Sequence, residues 1–135
     1  MTELDRACAD PLPPEAQEAL RLFNAGEFYR QHDLFEALWR DTPGPVRDLY
    51  QGVLQVGVAY YQITRGNALG AAKMLLRSAR WLEPLPDVCQ GVDVAQLRAD
   101  SATVLAELRR LGRDRIAEFD RSLLKPVRLV ESRLE

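Results

Sequence analysis

The stretch LYQGVLQVGVAYYQIT, residues 49–64, contains no charged side chain, and it decides the fold. It is shorter than the roughly 20 apolar residues that cross a membrane, and Gln51, Gln55 and Gln62 interrupt its apolar surface. An uncharged segment of this length is typical of a helix that other helices surround. We therefore predict a buried central helix here.

Glycine and proline divide the rest of the chain into helical blocks of ordinary length. Pro13-Pro14 precedes the first block, and the run TPGP at residues 42–45 separates the second from the third. Asn67 is placed to cap the fourth helix, and Gly112 is placed to end the fifth. The predicted helices cover residues 14–25, 27–40, 46–65, 68–82 and 94–111.

The predicted fold class is all-α, because no alternating β pattern of useful length occurs. We expect a single compact bundle of about five helices over residues 1–135. Two αα-hairpins (first helix with second, third with fourth) pack around the central helix, and the fifth helix closes the core. Residues 1–12 are predicted to form a flexible arm. Residues 113–135 are predicted to form a partly ordered tail whose final residues are loose.

The composition argues against some classes of function. A net charge of −2 and a pI of about 5.5 give no overall positive field for nucleic acid or an anionic membrane surface. Cys8 and Cys89 lie far apart with no C-x-x-C spacing, and the acidic start MTELDRACADPLPPEA is unlike a secretory signal. We therefore expect a cytoplasmic location with both thiols free.

The only histidine of the chain, His32, lies in the predicted second helix. At 100° per residue it falls within the apolar arc that contains Trp39, and Glu36 follows one turn later at the edge of that arc. Gln51 and Gln55 share one strip of the central helix, where an unsatisfied buried amide costs about 1–3 kcal/mol. We predict a buried polar network that joins His32 and Glu36 to these two glutamines.

Further candidates surround the turn RGN at residues 65–67. Arg65 is predicted to pair with a buried carboxylate, either Glu36 or Asp48. Tyr61 is a candidate wall of a pocket beside the histidine helix. Asn67 is a candidate member of the same ligand-binding or network set.

A basic stripe on the predicted fourth helix consists of Lys73, Arg77 and Arg80, opposite an apolar arc. Such a stripe is usually a solvated face. It could also receive an acidic partner or a phosphate group. Trp81 lies on the border between the two arcs and completes the set of candidate contact residues.

His32, Asp33, Glu36 and Trp39 resemble the H-E-x-x-E-x-x-W signature of the domain of unknown function 309 (DUF309) family of small helical proteins. The preceding FNAGEFYRQ and the later YQGVLQVGVAYYQITRGNALGAAKML resemble the lead-in and the second block of that family, in the same order. Asp33 departs from the signature, which usually carries glutamate there. The resemblance spans about residues 20–82, and it implies a compact all-helical fold with no established activity.

Two classes of function fit these patterns. The favoured one is a binding or adaptor module without a cofactor, a monomer or weak homo-dimer whose partner is an unidentified protein or small molecule. The alternative is a small enzyme, such as a hydrolase, or a metal- or ligand-binding protein that uses His32 and Glu36 in a pocket. We predict no metal site, because zinc takes at least three protein ligands and only Cys8, Cys89 or Asp48 could complete the set.

Overall fold

The computed structural model describes residues 1–130, which form a bundle of α-helices with one small β-hairpin. The β-strands β1 (Val88–Cys89) and β2 (Val92–Asp93) pair antiparallel between the last two α-helices. Two short 3₁₀ helices, Arg113–Glu118 and Arg121–Leu123, follow the last α-helix. The predicted all-α class is confirmed. The α-helices are α1 (Glu3–Cys8), α2 (Pro14–Asn24), α3 (Arg30–Asp41), α4 (Arg47–Thr64), α5 (Ala68–Leu82) and α6 (Val94–Leu111).

The helix α4 lies at the centre of the bundle, as its uncharged sequence predicts. Every residue from Gly52 to Tyr60 is buried. A Cβ atom at Gly52 would lie 2.5 Å from Leu82 Cδ2 of α5, and one at Gly57 would collide with the Gln31 amide of α3. Glycine at these positions therefore permits α3 and α5 to approach α4 closely. Over residues 1–130, no helix is both long and apolar enough to cross a membrane.

The two predicted αα-hairpins are present, because α2 packs against α3 and α4 packs against α5. In addition, α3 packs on α4, and α6 packs on α5. Asn67 caps α5 as predicted, and Asp93 caps α6 in the same way. The Oδ1 atom of Asn67 accepts a hydrogen bond from the backbone N–H of Gly70 at 2.9 Å, and Asp93 Oδ1 accepts one from Gln96 at 2.9 Å.

The N-terminal segment contradicts the prediction of two free thiols, because Cys8 and Cys89 form a disulfide. The backbone N–H of Gln90 also donates a hydrogen bond to the carbonyl of Cys8 at 2.7 Å, so α1 lies against the β-hairpin. Residues 3–8 are helical, and Leu12 is buried, where the sequence predicts a flexible arm. The sequence separation of 81 between the cysteines hides this contact from any local pattern.

The tail after α6 crosses the bundle and returns to the β-hairpin. Its Phe119 and Val127 are buried. The Asn24 side chain donates a hydrogen bond to the carbonyl of Val127 at 3.0 Å and accepts one from its N–H at 2.8 Å. Leu129 forms an isolated antiparallel bridge with Val92. These contacts hold the tail up to residue 130, and the prediction for the final residues lies outside the described part of the chain.

Candidate functional site

An open cleft of about 340 Å³ lies between α3, α4 and α5. It contains five of the candidates that the sequence singles out, namely His32, Glu36, Trp39, Gln51 and Gln55. The structure therefore brings these five side chains to the lining of one cleft. The complete lining is Tyr29, His32, Glu36 and Trp39 at α3, Gln51, Leu54, Gln55 and Val58 from α4, and Met74 from α5.

The histidine side of the cleft is built by one face of α3. His32 Nε2 lies 3.2 Å from Glu36 Oε2, as the spacing of one helical turn permits. His32 Nδ1 lies 3.3 Å from Asp33 Oδ1, so each ring nitrogen faces a carboxylate. The side chains of His32 and Glu36 are 28% and 40% exposed. This pair is therefore open to solvent, which differs from the predicted buried network.

The glutamine side of the cleft does not complete that network either. Within residues 1–130, no hydrogen bond joins Gln51 or Gln55 to His32 or Glu36, and the buried Oε1 atom of Gln55 has no hydrogen-bond partner. The buried amide that ties α3 to α4 is Gln31 instead. Its Nε2 atom donates to the carbonyls of Phe28 at 2.8 Å and Leu54 at 3.1 Å.

Trp39 stands at one end of the cleft. The guanidinium carbon of Arg47 lies 4.2 Å from the centre of its ring, and Arg47 Nε donates a hydrogen bond to the Trp39 carbonyl at 3.1 Å. The indole Nε1 atom of Trp39 is buried and has no partner within residues 1–130. Arg47 was not predicted as a site residue. Its contact with Trp39 depends on the conformation of the turn between α3 and α4, which helical periodicity does not indicate.

Tyr29 stands at the other end of the cleft and was also not predicted. Its ring stacks on the His32 ring with 5.7 Å between the ring centres, and its centre lies 4.9 Å from that of the Tyr61 ring. The i, i+3 spacing of Tyr29 and His32 is the signal that could have found it. Tyr61 does not line the cleft itself, but it contacts Tyr29, which does.

The prediction that Arg65 pairs with Glu36 or Asp48 is wrong. Arg65 is exposed, its Nη1 donates to the Tyr61 hydroxyl at 2.9 Å, and its guanidinium lies over the same ring at 5.5 Å. The reason is its place at the C-terminal end of α4, one turn after Tyr61. Asn67 caps α5 and does not line the cleft.

The basic stripe is exposed, but Trp81 does not share its surroundings. Lys73, Arg77 and Arg80 are exposed and form no ion pair within residues 1–130. Trp81 is half-buried, and its Cβ would contact a Cβ at Gly52 at 3.4 Å. The backbone of α5 at Trp81 therefore lies close to α4.

Burial raises the pKa of three titratable groups of α4, namely Asp48, Tyr50 and Tyr60. Burial raises the pKa of Asp48 above its ordinary value of 3.8, and nearby Arg47 opposes part of that rise. Burial also raises the pKa of the Tyr60 hydroxyl well above its usual range. That hydroxyl has no hydrogen-bond partner among the described residues. Across the same residues, no group of three or more His, Cys, Asp or Glu side chains is placed to hold a metal ion.

Fold and cleft together define a small helical-bundle protein with an open polar cleft between three of its helices. Residues 16–74 match the model of the family described as "Domain of unknown function (DUF309)", so the predicted resemblance to that family is confirmed. The matched residues contain the whole lining of the cleft. The chain is also similar to an uncharacterized protein of Aquifex aeolicus (strain VF5), with 26% identity over 90 residues. The match covers 66% of this chain and 27% of that relative.

Proposed function

We propose that this is a binding protein whose cleft between α3, α4 and α5 receives a small, neutral, amide-like ligand. The observation that carries the proposal is that two residues of the cleft lining each have a buried polar atom with no hydrogen-bond partner within residues 1–130. These atoms are Gln55 Oε1, which can only accept a hydrogen bond, and Trp39 Nε1, which can only donate one. An amide group offers the complementary N–H and C=O, and buried polar atoms normally find such partners.

The rest of the lining fits a ligand that is only partly polar. Leu54, Val58 and Met74 give an apolar surface, and the volume of the cleft lies near the lower end for small-molecule sites. Both carboxylate oxygens of Glu36 already have a neighbour within the protein, because Oε2 lies 3.2 Å from His32 Nε2 and Oε1 lies 4.0 Å from Arg40 Nη2. A neutral ligand is therefore favoured over an ion.

The alternative is a small enzyme, and the pairing of His32 and Glu36 inside a cleft is what favours it. A general acid or base must present one ring nitrogen to the substrate. In this protein Nε2 faces Glu36 and Nδ1 faces Asp33, so neither nitrogen is directed only at the cleft. This geometry supports binding over proton transfer.

The cytoplasm remains the predicted location. The Cys8–Cys89 disulfide argues against it, because disulfides persist mainly in oxidising compartments. A thiol count on protein alkylated directly in lysed cells decides the point. A count of two free thiols would support the cytoplasm. A count of zero would contradict it.

The ligand proposal is tested by NMR with acetamide, N-methylacetamide and a capped dipeptide amide as probes. The imidazole signals belong to His32 without further assignment, because the chain has one histidine. We expect them to shift in a saturable way, together with the indole N–H of Trp39. The shifts should disappear in Gln55→Met, which keeps size but removes the acceptor.

The matched control is Gln62→Met, the same change on α4 outside the cleft. It should preserve binding, and circular dichroism would verify the fold of both variants. An absence of saturable shifts with all three probes would contradict the proposal. Equal loss in both variants would also contradict it.

A further inference from the structure

A shallow apolar seam runs along α5 and α6, on a different flank of α5 from the cleft. It consists of two hollows of about 270 Å³ and about 120 Å³, which follow the two helices from one end to the other. Because α5 has 15 residues, the seam is about 22 Å long. The larger hollow is lined by Leu75, Ala79, Leu82, Glu83, Arg98, Ser101, Ala102 and Leu105, and the smaller by Ala68, Leu69, Ala72, Leu108, Arg109, Gly112 and Arg113.

Large apolar side chains lie exposed beside the seam. Leu69 is 51% exposed and Leu76 is 47% exposed, and both lie next to the seam on the outer arc of α5. The alanines that line the seam allow another helix to approach closely. A row of small residues flanked by exposed leucines is the shape that an amphipathic helix fills with its apolar stripe.

The border of the seam is positively charged. The sequence of α5 contains Lys73, Arg77 and Arg80 and no carboxylate, although the whole chain carries a net charge of −2. On a helix that turns 100° per residue, Lys73 and Arg80 lie next to the exposed leucines, on the side away from the seam. Arg109 and Arg113 add positive charge at the end of the seam that contains the smaller hollow. None of these five cations forms an ion pair within residues 1–130.

We propose that the seam docks an amphipathic helix of another protein, with a leucine-like apolar stripe and acidic flanks. Charge complementarity selects this occupant, because acidic residues beside the stripe would meet Lys73, Arg77 and Arg80 on the α5 border, which form no ion pair within residues 1–130, although Glu83 lines the larger hollow. A second copy of the chain is disfavoured, since a two-fold contact would set the basic residues of each copy against those of the other. The proposal is independent of the ligand proposed for the cleft, because Met74 and the seam lie on different flanks of α5.

The probe is a capped helical peptide of about 15 residues, with leucine at i, i+3, i+4 and i+7 spacing and glutamate elsewhere. We expect the intact protein to bind it with a Kd of about 10–100 μM at low salt. Binding should weaken several-fold when salt is raised, because exposed charges are screened. The same peptide with lysine in place of glutamate should bind at least about tenfold more weakly.

Paired variants locate the contact. Ala102→Glu places a carboxylate in the seam, and Thr103→Glu places one on the neighbouring exposed position of α6 outside it. We expect the first to weaken peptide binding at least about tenfold and the second less than about twofold. Arg80→Glu should weaken binding more than Arg30→Glu. Circular dichroism would verify that each variant is folded.

Several outcomes would overturn the inference. They are an absence of peptide binding, equal binding of the lysine peptide, or equal effects of Ala102→Glu and Thr103→Glu. Sedimentation of the protein alone as a dimer that Ala102→Glu dissociates would show that a second copy occupies the seam. Gln55→Met should leave peptide binding unchanged, so failure of the seam and failure of the cleft are distinguishable.

Discussion

The centre and the periphery of this molecule are held together in different ways. The centre consists of α2 to α5, where buried side chains interlock and glycines let the helices approach. The periphery consists of α1, the β-hairpin and the tail after α6. It is held by a disulfide and by single contacts between residues that are far apart in the sequence, such as Asn24 and Val127, which are 103 residues apart. The difference teaches that packing shapes the candidate cleft, while long-range links attach the segments around the bundle.

The largest expected effect comes from removing the disulfide. Replacing Cys8 and Cys89 together by alanine should lower the free energy of unfolding by about 4 kcal/mol, because the bond closes a loop of 81 residues. Urea denaturation measures this loss. Hydrogen exchange should show faster opening of the β-hairpin while the α4 amides stay the most protected.

A reducing agent is the control for this comparison. It should lower the stability of the natural protein and leave the double variant unchanged. If the double variant were as stable as the natural protein, the periphery would not depend on the bond. If α4 opened as early as the β-hairpin, the division between centre and periphery would be wrong.

The second effect tests the packing of the centre. Gly57→Ala should destabilise the protein by about 2–3 kcal/mol, because the new Cβ collides with the Gln31 amide and displaces its hydrogen bond to the Leu54 carbonyl of α4. Thermal and urea unfolding measure the loss. In a double-mutant cycle with Gln31→Ala, the combined loss should be smaller than the sum of the two single losses. Additive losses would contradict a collision at this position.

Local signals account for the parts of the fold that the sequence could predict. The uncharged stretch 49–64, the capping residue Asn67 and the one-turn spacing of His32 and Glu36 each act over a few residues. Signals of this kind predict the mostly helical fold, and the structure brings five of the singled-out residues to one cleft. The disulfide was missed because pairing between Cys8 and Cys89 depends on how distant segments meet.

The same limit applies to details of the site. Helical periodicity places His32, Glu36 and Gln55 at one surface, but it cannot say whether their polar atoms meet. They do not, since Gln55 Oε1 is unpartnered and Gln31 forms the buried hydrogen bonds instead. The predicted partner of Arg65 was wrong, because helical periodicity does not indicate which of several nearby groups a long side chain contacts.

The smallest expected effect concerns a charge at the edge of the centre. Burial raises the pKa of Asp48 in the folded protein, so folding favours its protonated form. Its stabilising contribution is therefore complete below the unfolded value of 3.8 and is lost as the pH rises through the folded pKa. Asp48→Asn should gain up to about 0.5 kcal/mol at pH 7 relative to the natural protein, and less near pH 3.

Urea unfolding at the two pH values measures this difference. Asp33→Asn is the comparison, because Asp33 is exposed and lies on another helix. A gain for Asp48→Asn that is larger at pH 3 than at pH 7 would contradict the sign of the shift. An equal gain at both values would show that the carboxylate is not affected by its surroundings.

The cysteine pair stands on either side of residues 16–74, so α2 to α5 belong to a covalent ring. A protease that cuts once within this ring, for example at the exposed Pro43–Pro45 turn, leaves both fragments in one molecule. Such a nicked protein would migrate as a single species until it is reduced. The disulfide would then be the only covalent link between the fragment that contains α1 to α3 and the fragment that contains α4 to α6.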